Sequence, residues 1–272
     1  MARRQPEGPP PPPPVQRIRL RYAKRGRLRF SSHRDFARAF ERSLRRAGVP
    51  MAYSAGFSPH PKISYLGAVP TGVGSEAEYL EIQLWRRVDP EAVRAALDEV
   101  LPDGLDIVEA VEAGSGSLAE RIEASQWRLE LRGADVEELS AAVEALLAAA
   151  EAPVERLTKD GRRTVDARGP IVWARVADGS ASGGDADEAA SGGDDGRCAI
   201  LDLVVRQVTP AVRPDDVLAA LAAVAGFAAQ LPPRATRVAY GPLDGAGQVG
   251  DPLGADKALA RSQDRVDAGS AS

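Results

Sequence analysis

Apolar and polar residues alternate near the start of the chain, and a helical pattern follows directly. Ile18, Leu20 and Tyr22 alternate with arginines, which is typical of a half-buried strand. Ser32 then stands three residues before Asp35, a spacing typical of a helix N-terminus. In chain order, the predicted elements are a strand over 16–24 that resumes through Leu28 and Phe30, a helix from Ser32 to Gly48, a strand over 49–53, a strand over 78–85, a helix over 90–100 and a strand over 105–111. This order, βαββαβ, is that of a ferredoxin-like fold.

The second part of the chain gives a similar order of elements. They are predicted as a strand over 126–131, a helix over 136–149, strands over 154–157, 171–176 and 199–206, a helix over 214–225 and a strand over 237–240. The order is again βαββαβ, with one extra strand in the middle. We therefore expect an α+β protein made of two ferredoxin-like βαββαβ halves, a tandem duplication, at residues 16–113 and 124–242.

Three segments lack the apolar periodicity of a folded element. Residues 1–15 form a proline-rich arm, and residues 178–197 form an insertion rich in glycine, serine and aspartate. Residues 243–272 contain few large apolar side chains. We expect all three segments to be disordered, because they cannot bury enough apolar surface to offset the entropy of ordering.

Composition excludes several classes of protein. No run approaches the roughly 18 apolar residues of a membrane span, and the N-terminus has no apolar signal-peptide region. Cys198 is the single cysteine, so it cannot form an internal disulfide, and no metal-ligand spacing is present. We expect a cytoplasmic protein with no cofactor, no metal site and no membrane partner.

Basic residues are concentrated in residues 16–62, which hold 13 lysines and arginines against two acidic residues, although the whole chain carries a formal net charge of −4. Such a region indicates an anionic partner, most commonly a nucleic acid. The first predicted helix carries two stripes. The apolar stripe, expected to pack on the sheet, is Phe36, Phe40, Leu44 and Ala47. The basic stripe, expected to contact RNA phosphates, is Arg34, Arg38, Arg42, Arg45 and Arg46. The alternative is a solvated face in which Glu41 pairs with Arg45.

A loop stiffened by prolines follows this helix and carries an aromatic ring and a cation. Phe57, His60 and Lys62 are expected to touch RNA bases, although Phe57 is equally suited to anchoring the loop in the core. His33 and His60 are the only histidines, and they offer an alternative reading as the acid and base of a metal-independent endoribonuclease. Binding or structural roles for these two histidines are favoured over catalysis.

Three stretches in this region carry a resemblance: FSSHRDFARAFERSLRRAG, PMAYSAGFSPHPKISY and GVGSEAEYLEI. They resemble the radical-SAM-linked protein family, a domain of unknown function found fused to or encoded beside cobalamin-type radical-SAM proteins. A weaker likeness continues in TVDARGPIV and VRPDDVLAAL. The resemblance implies a radical-SAM partner and a context of RNA modification or processing. Because the chain has no CxxxCxxC motif, the partner must be encoded separately.

These observations favour a non-catalytic RNA-binding accessory protein that works with a separate radical-SAM enzyme. Two alternatives remain open. One is the endoribonuclease that uses His33 and His60, and the other is a protein-only scaffold for the radical-SAM partner.

Overall fold

A computed structural model of the chain describes residues 11–158, 161–179 and 197–270. Its contacts divide the chain into two compact units. The first unit extends to Glu120 and resumes at Pro252, and the second unit is Arg121–Asp251. Both units contain helices and antiparallel strands, so the predicted α+β class is confirmed. Within the described residues, no helix is long and apolar enough to cross a membrane.

The first unit consists of an antiparallel sheet and its helices. Its elements are β1 (Gln16–Lys24), α1 (His33–Arg46), β2 (Ile63–Leu66), β3 (Gly74–Leu84), α2 (Pro90–Val100), β4 (Ile107–Glu112) and α5 (Gly254–Ser270). Strand β1 pairs with β3 on one side and with β4 on the other, and β2 pairs with β3. The inner strands of the unit are therefore β1 and β3, with β4 beside β1 and β2 beside β3.

The core of the first unit lies between one face of the sheet and helices α1 and α2. Ile18 and Leu20 project to this face from β1, and their antiparallel partners on β3 are Ile82 and Leu80. The helices contribute Phe36, Phe40, Leu44, Val93 and Leu97. The predicted apolar stripe of the first helix is thus confirmed, with Ala47 packed against the cluster at its end.

Two strand predictions in the first unit are wrong. Gly26–Phe30 is a 3-10 helix instead of a continuation of β1. The backbone turns there because Gly26 adopts a positive φ of 51°, which side chains disfavour and glycine tolerates. Residues 49–53 make only the isolated pairings of Met51 with Leu84 and Tyr53 with Pro61. The second strand is β2, over residues for which no strand is predicted from the sequence.

The second unit repeats the sheet-and-helix construction with an added hairpin. Its elements are β5 (Ala124–Arg132), α3 (Val136–Ala148), β6 (Pro153–Thr158), β7 (Gly161–Asp166), β8 (Ile171–Asp178), β9 (Cys198–Arg206), α4 (Pro214–Ala225) and β10 (Arg234–Gly241). Strand β5 pairs with β10 and β9, and β9 also pairs with β8. Strands β6 and β7 form a separate hairpin. The sequence reading missed β7 because Val165 is its one buried side chain.

The expectation of a disordered tail is wrong for the described end of the chain. Residues 254–270 form α5, and Leu253 and Asp256 are buried in the first unit. The tail is held by an ion pair between Asp256 and Arg19, which apolar periodicity does not reveal. The other two disorder predictions fall mainly on residues 1–10 and 180–196, which lie outside the described residues, while 11–15 are exposed and have no regular secondary structure.

Candidate nucleic-acid interface

Helix α1 begins where the sequence predicts it, at a side-chain cap. The Ser32 hydroxyl accepts a hydrogen bond from the Asp35 amide at 3.2 Å and donates one to the Asp35 carboxylate at 2.7 Å. This hydroxyl, together with the charges of Arg38 and Arg34, lowers the pKa of Asp35 below its ordinary value. The cap therefore fixes the first turn of α1 and the direction in which its two faces point.

The basic stripe of α1 lies on the surface. Its members, Arg34, Arg38, Arg42, Arg45 and Arg46, are all exposed. Among the residues that the structure describes, none of the five forms an ion pair or a side-chain hydrogen bond, and the alternative pair of Glu41 with Arg45 is not formed. The stripe therefore keeps its positive charge for a partner, which is the property that an anion-binding surface requires.

Other basic residues of 16–62 are bonded within the first unit. Arg19 is fully buried, and its guanidinium donates to Asp256 at 2.8 and 3.0 Å and to Glu81 at 3.0 Å. Arg25 forms ion pairs with Glu76 and Asp106, of which the first raises its pKa most. The basic charge counted in the sequence is thus larger than the charge available at the surface.

Lys24 is another basic residue that is buried and bonded within the first unit. Its ammonium group donates to the Ser31 carbonyl at 2.9 Å. Burial lowers the pKa of Lys24, and the negative charge of Glu78 offsets part of that shift. This bond ties the end of β1 to the residues that lead into α1.

The two ends of the predicted base-contacting loop are joined by hydrogen bonds between Ser54 and His60, which form its neck, and its tip is exposed to solvent. The Ser54 amide donates to the His60 carbonyl at 2.9 Å, and the His60 amide donates to the Ser54 hydroxyl at 3.0 Å. Phe57 is 70% exposed, so the alternative that it anchors the loop in the core is wrong. His60 is exposed, whereas Lys62 is half-buried beyond the neck. The loop presents one aromatic ring and one imidazole on a constrained backbone.

Chain connections place this loop at the C-terminal end of α1. Lys24 contacts Ser31 just before α1, at one end of β1. After α1, Met51 pairs with Leu84, which lies opposite Gln16 at the other end of β1. Helix α1 therefore runs back along β1 for about 20 Å, at 1.5 Å per residue. The loop begins three residues after Met51, so the arginine stripe leads towards it.

A groove of about 500 Å³ lies between α1 and the end of α2. Arg42 and Arg46 line one side, and Glu99 and Leu101 line the other. The groove therefore combines two positive charges of the stripe with one carboxylate and an apolar wall.

The two histidines, His33 and His60, make no contact with each other among the described residues. His33 is exposed, and its ring meets Tyr65 edge-on at 4.9 Å between centroids. Burial raises the pKa of Tyr65, and the negative charge of Glu41 raises it further. Within the described residues, no hydrogen bond or ring contact joins His33 to His60, and no group of three metal-ligating residues occurs. These contacts give no support to the endoribonuclease alternative, which stays untested.

The sequence reading missed Phe30 as a surface residue. It is 57% exposed at the end of the 3-10 helix, two residues before the cap of α1. The Arg29 guanidinium lies over its ring at 4.7 Å from the centroid. The sequence predicts a turn at Gly26 and a strand through Leu28 and Phe30 after it, whereas the structure has a 3-10 helix that ends on the exposed Phe30.

Together, the fold and this surface define an α+β protein with an exposed basic helix face. The chain belongs to the DUF2344 family, described as uncharacterized protein conserved in bacteria, whose model matches residues 17–214. The match includes α1, the loop with Phe57 and most of the second unit. No curated protein matches the chain.

Proposed function

We propose that this protein is a non-catalytic RNA-binding accessory protein. The observation that carries the proposal is the row of exposed arginines on α1, which form no ion pair and no side-chain hydrogen bond among the described residues. Arg34, Arg38, Arg42, Arg45 and Arg46 would bind the phosphate backbone, and Phe57, His60 and Lys62 would lie close to bases. Guanidinium groups suit this role because they stay charged and match the geometry of phosphate oxygens.

The arrangement along α1 supports a single strand that follows the helix. Arg34 and Arg45 are 11 residues apart, which is about 16 Å along the axis at 1.5 Å per residue. That length covers several phosphate groups. The closed loop at the C-terminal end of α1 then offers Phe57 for stacking, since an exposed aromatic ring binds any base by its flat face.

Salt dependence tests the proposed RNA binding directly. If about four phosphates of a single strand are neutralised, log affinity should fall against log salt concentration with a slope near −3, at about −0.7 per contact. The measurement is fluorescence anisotropy of labelled cellular RNA fragments with the full chain. A protein that shows no salt-dependent binding to any of these RNAs would contradict the proposal.

We also propose that a separately encoded radical-SAM enzyme is the partner, in RNA modification or processing in the cytoplasm. This part rests on the resemblance of the three stretches named above, and the single cysteine is compatible with a reducing compartment. Co-expression with the encoded radical-SAM neighbour should give a complex that survives affinity purification. If the two do not associate and the neighbour is fully active alone, the partnership is refuted.

The strand orders support the finer fold assignment, which we propose as a tandem ferredoxin-like duplication. In the first unit β1 lies between β4 and β3, with β2 beyond β3. In the second unit β5 lies between β10 and β9, with β8 beyond β9. With the β6–β7 hairpin set aside as an insertion, both units follow the order βαββαβ.

A further inference from the structure

Phe30 occupies a defined place at the N-terminal end of the basic stripe. It lies four residues before Arg34, and α1 carries the other arginines away from it towards the loop with Phe57. Phe30 and Phe57 are therefore exposed aromatic residues near opposite ends of the same helix. The phosphate-binding row assigned above lies between them.

The exposure of Phe30 follows from a fixed backbone. The Ser31 amide and hydroxyl both donate to the Leu28 carbonyl, at 2.9 and 2.6 Å. The Gly72 amide donates to the Arg29 carbonyl at 2.8 Å, and Leu28 packs against the core. These contacts hold the backbone on both sides of Phe30 while its ring stays in solvent. Because the backbone around the ring is already fixed, a base that stacks on the ring does not have to order it, and less conformational entropy is lost on binding.

The surroundings of the ring select a flat anionic ligand. Arg29 places its guanidinium over the ring, and Arg27, three residues before Phe30 in the chain, is exposed. A single exposed phenylalanine is common on protein surfaces and needs no ligand. Here a cation already lies over the ring, and more than half of the residue remains accessible. This combination of aromatic face and arginine is what single-stranded nucleic acid binds.

We propose that Phe30, with Arg29, is a base-stacking site for single-stranded RNA. The proposal rests on the RNA binding proposed above and adds the position at which the strand is held at the start of α1. A base is accessible to the ring only when it is unpaired, since in a duplex its faces are covered by neighbouring bases. The site therefore makes the interface selective for single strands, which a row of arginines alone does not.

The test compares Phe30→Ala with the wild type on two probes, using the full chain. One probe is a labelled 12-nucleotide oligoadenylate RNA, and the other is an abasic oligonucleotide with the same number of phosphates. Loss of one stacked base lowers affinity by between about fivefold and a hundredfold. We expect that loss for oligoadenylate alone, with an unchanged salt slope because no charge is removed. Phe30→Tyr should bind like the wild type.

Val108→Ala is the matched control. Val108 is also an exposed apolar residue of the first unit, but its neighbours in sequence, Asp106 and Glu109, are acidic, whereas Phe30 follows the basic Arg29. It should leave both affinities unchanged. Equal oligoadenylate binding by Phe30→Ala and wild type would overturn the stacking site while leaving the proposed function intact. An equal loss on both probes would also overturn it. The ring would then contact the RNA backbone or stabilise the protein fold, and it would not stack on a base. A wild type that binds cellular RNA fragments but not oligoadenylate would overturn the stacking site alone, whereas one that binds neither would refute the proposed function and the stacking site with it.

Discussion

Replacing Asp256 with alanine is expected to lower the free energy of unfolding by about 3–5 kcal/mol, the usual effect of removing one partner of a buried ion pair. Arg19 has no exposed surface, and Asp256 accepts two hydrogen bonds from its guanidinium and one from the Gly114 amide at 2.9 Å. Without the carboxylate, part of the Arg19 charge is left buried without compensation. The loss should appear in urea denaturation of the full chain.

Two variants give this prediction its controls. Lys257→Ala removes the neighbouring ion pair with Glu109, which is partly exposed, and should cost less than about 1 kcal/mol. The double variant Arg19→Met with Asp256→Leu removes both buried charges and should recover much of the loss, although Glu81 then keeps only its weaker contact with Arg17 at 3.4 Å. An Asp256→Ala protein as stable as Lys257→Ala would show that α5 is not held by this ion pair.

Replacing Arg38 and Arg42 together with alanine should flatten the salt dependence of RNA binding by one to two units of slope. Each lost phosphate contact removes about 0.7 from the slope for a single strand. Both side chains are exposed, so the free energy of unfolding should change by less than about 0.5 kcal/mol. Anisotropy titrations at several salt concentrations and a urea denaturation curve measure the two quantities on the same protein.

The control for this variant removes the same charge elsewhere. Arg162 and Arg163 lie exposed on β7 in the second unit, outside the proposed interface. The Arg162→Ala, Arg163→Ala protein should keep the slope of the wild type. If the two double variants bind RNA equally well, the stripe on α1 is a solvated face and net charge alone accounts for the binding.

Local patterns predicted the fold well where one element supplies its own signal. The strand β1, the cap at Ser32 and the apolar stripe of α1 all occur as expected, although Arg19 on the polar side of β1 is buried too. Prediction failed where the structure depends on a distant partner. Helix α5 has few apolar anchors, and its position depends on an aspartate that meets Arg19 across 237 residues of sequence.

The candidate site also combines features that a local pattern predicts with features that depend on distant residues. The exposure of the arginine stripe follows from the helical repeat, because Phe36 and Phe40 fix which face is buried. The count of basic residues, by contrast, could not reveal that Arg25 is paired with Glu76 and Asp106, which come much later in the chain. The alternation around Phe30 predicts a strand. Over only five residues, however, the same alternation also fits a 3-10 turn whose last residue is exposed.

The pairing of Arg19 with Asp256 also sets an order of events during protein synthesis. The first unit is discontinuous, since its last segment follows the whole of the second unit along the chain. When the ribosome has released the second unit, Arg19 still lacks the carboxylate that compensates it. At a synthesis rate of roughly 5–20 residues per second, the nascent first unit waits about 7 to 27 seconds after Glu120 for that residue. The second unit can thus complete its fold first, although its sequence begins later.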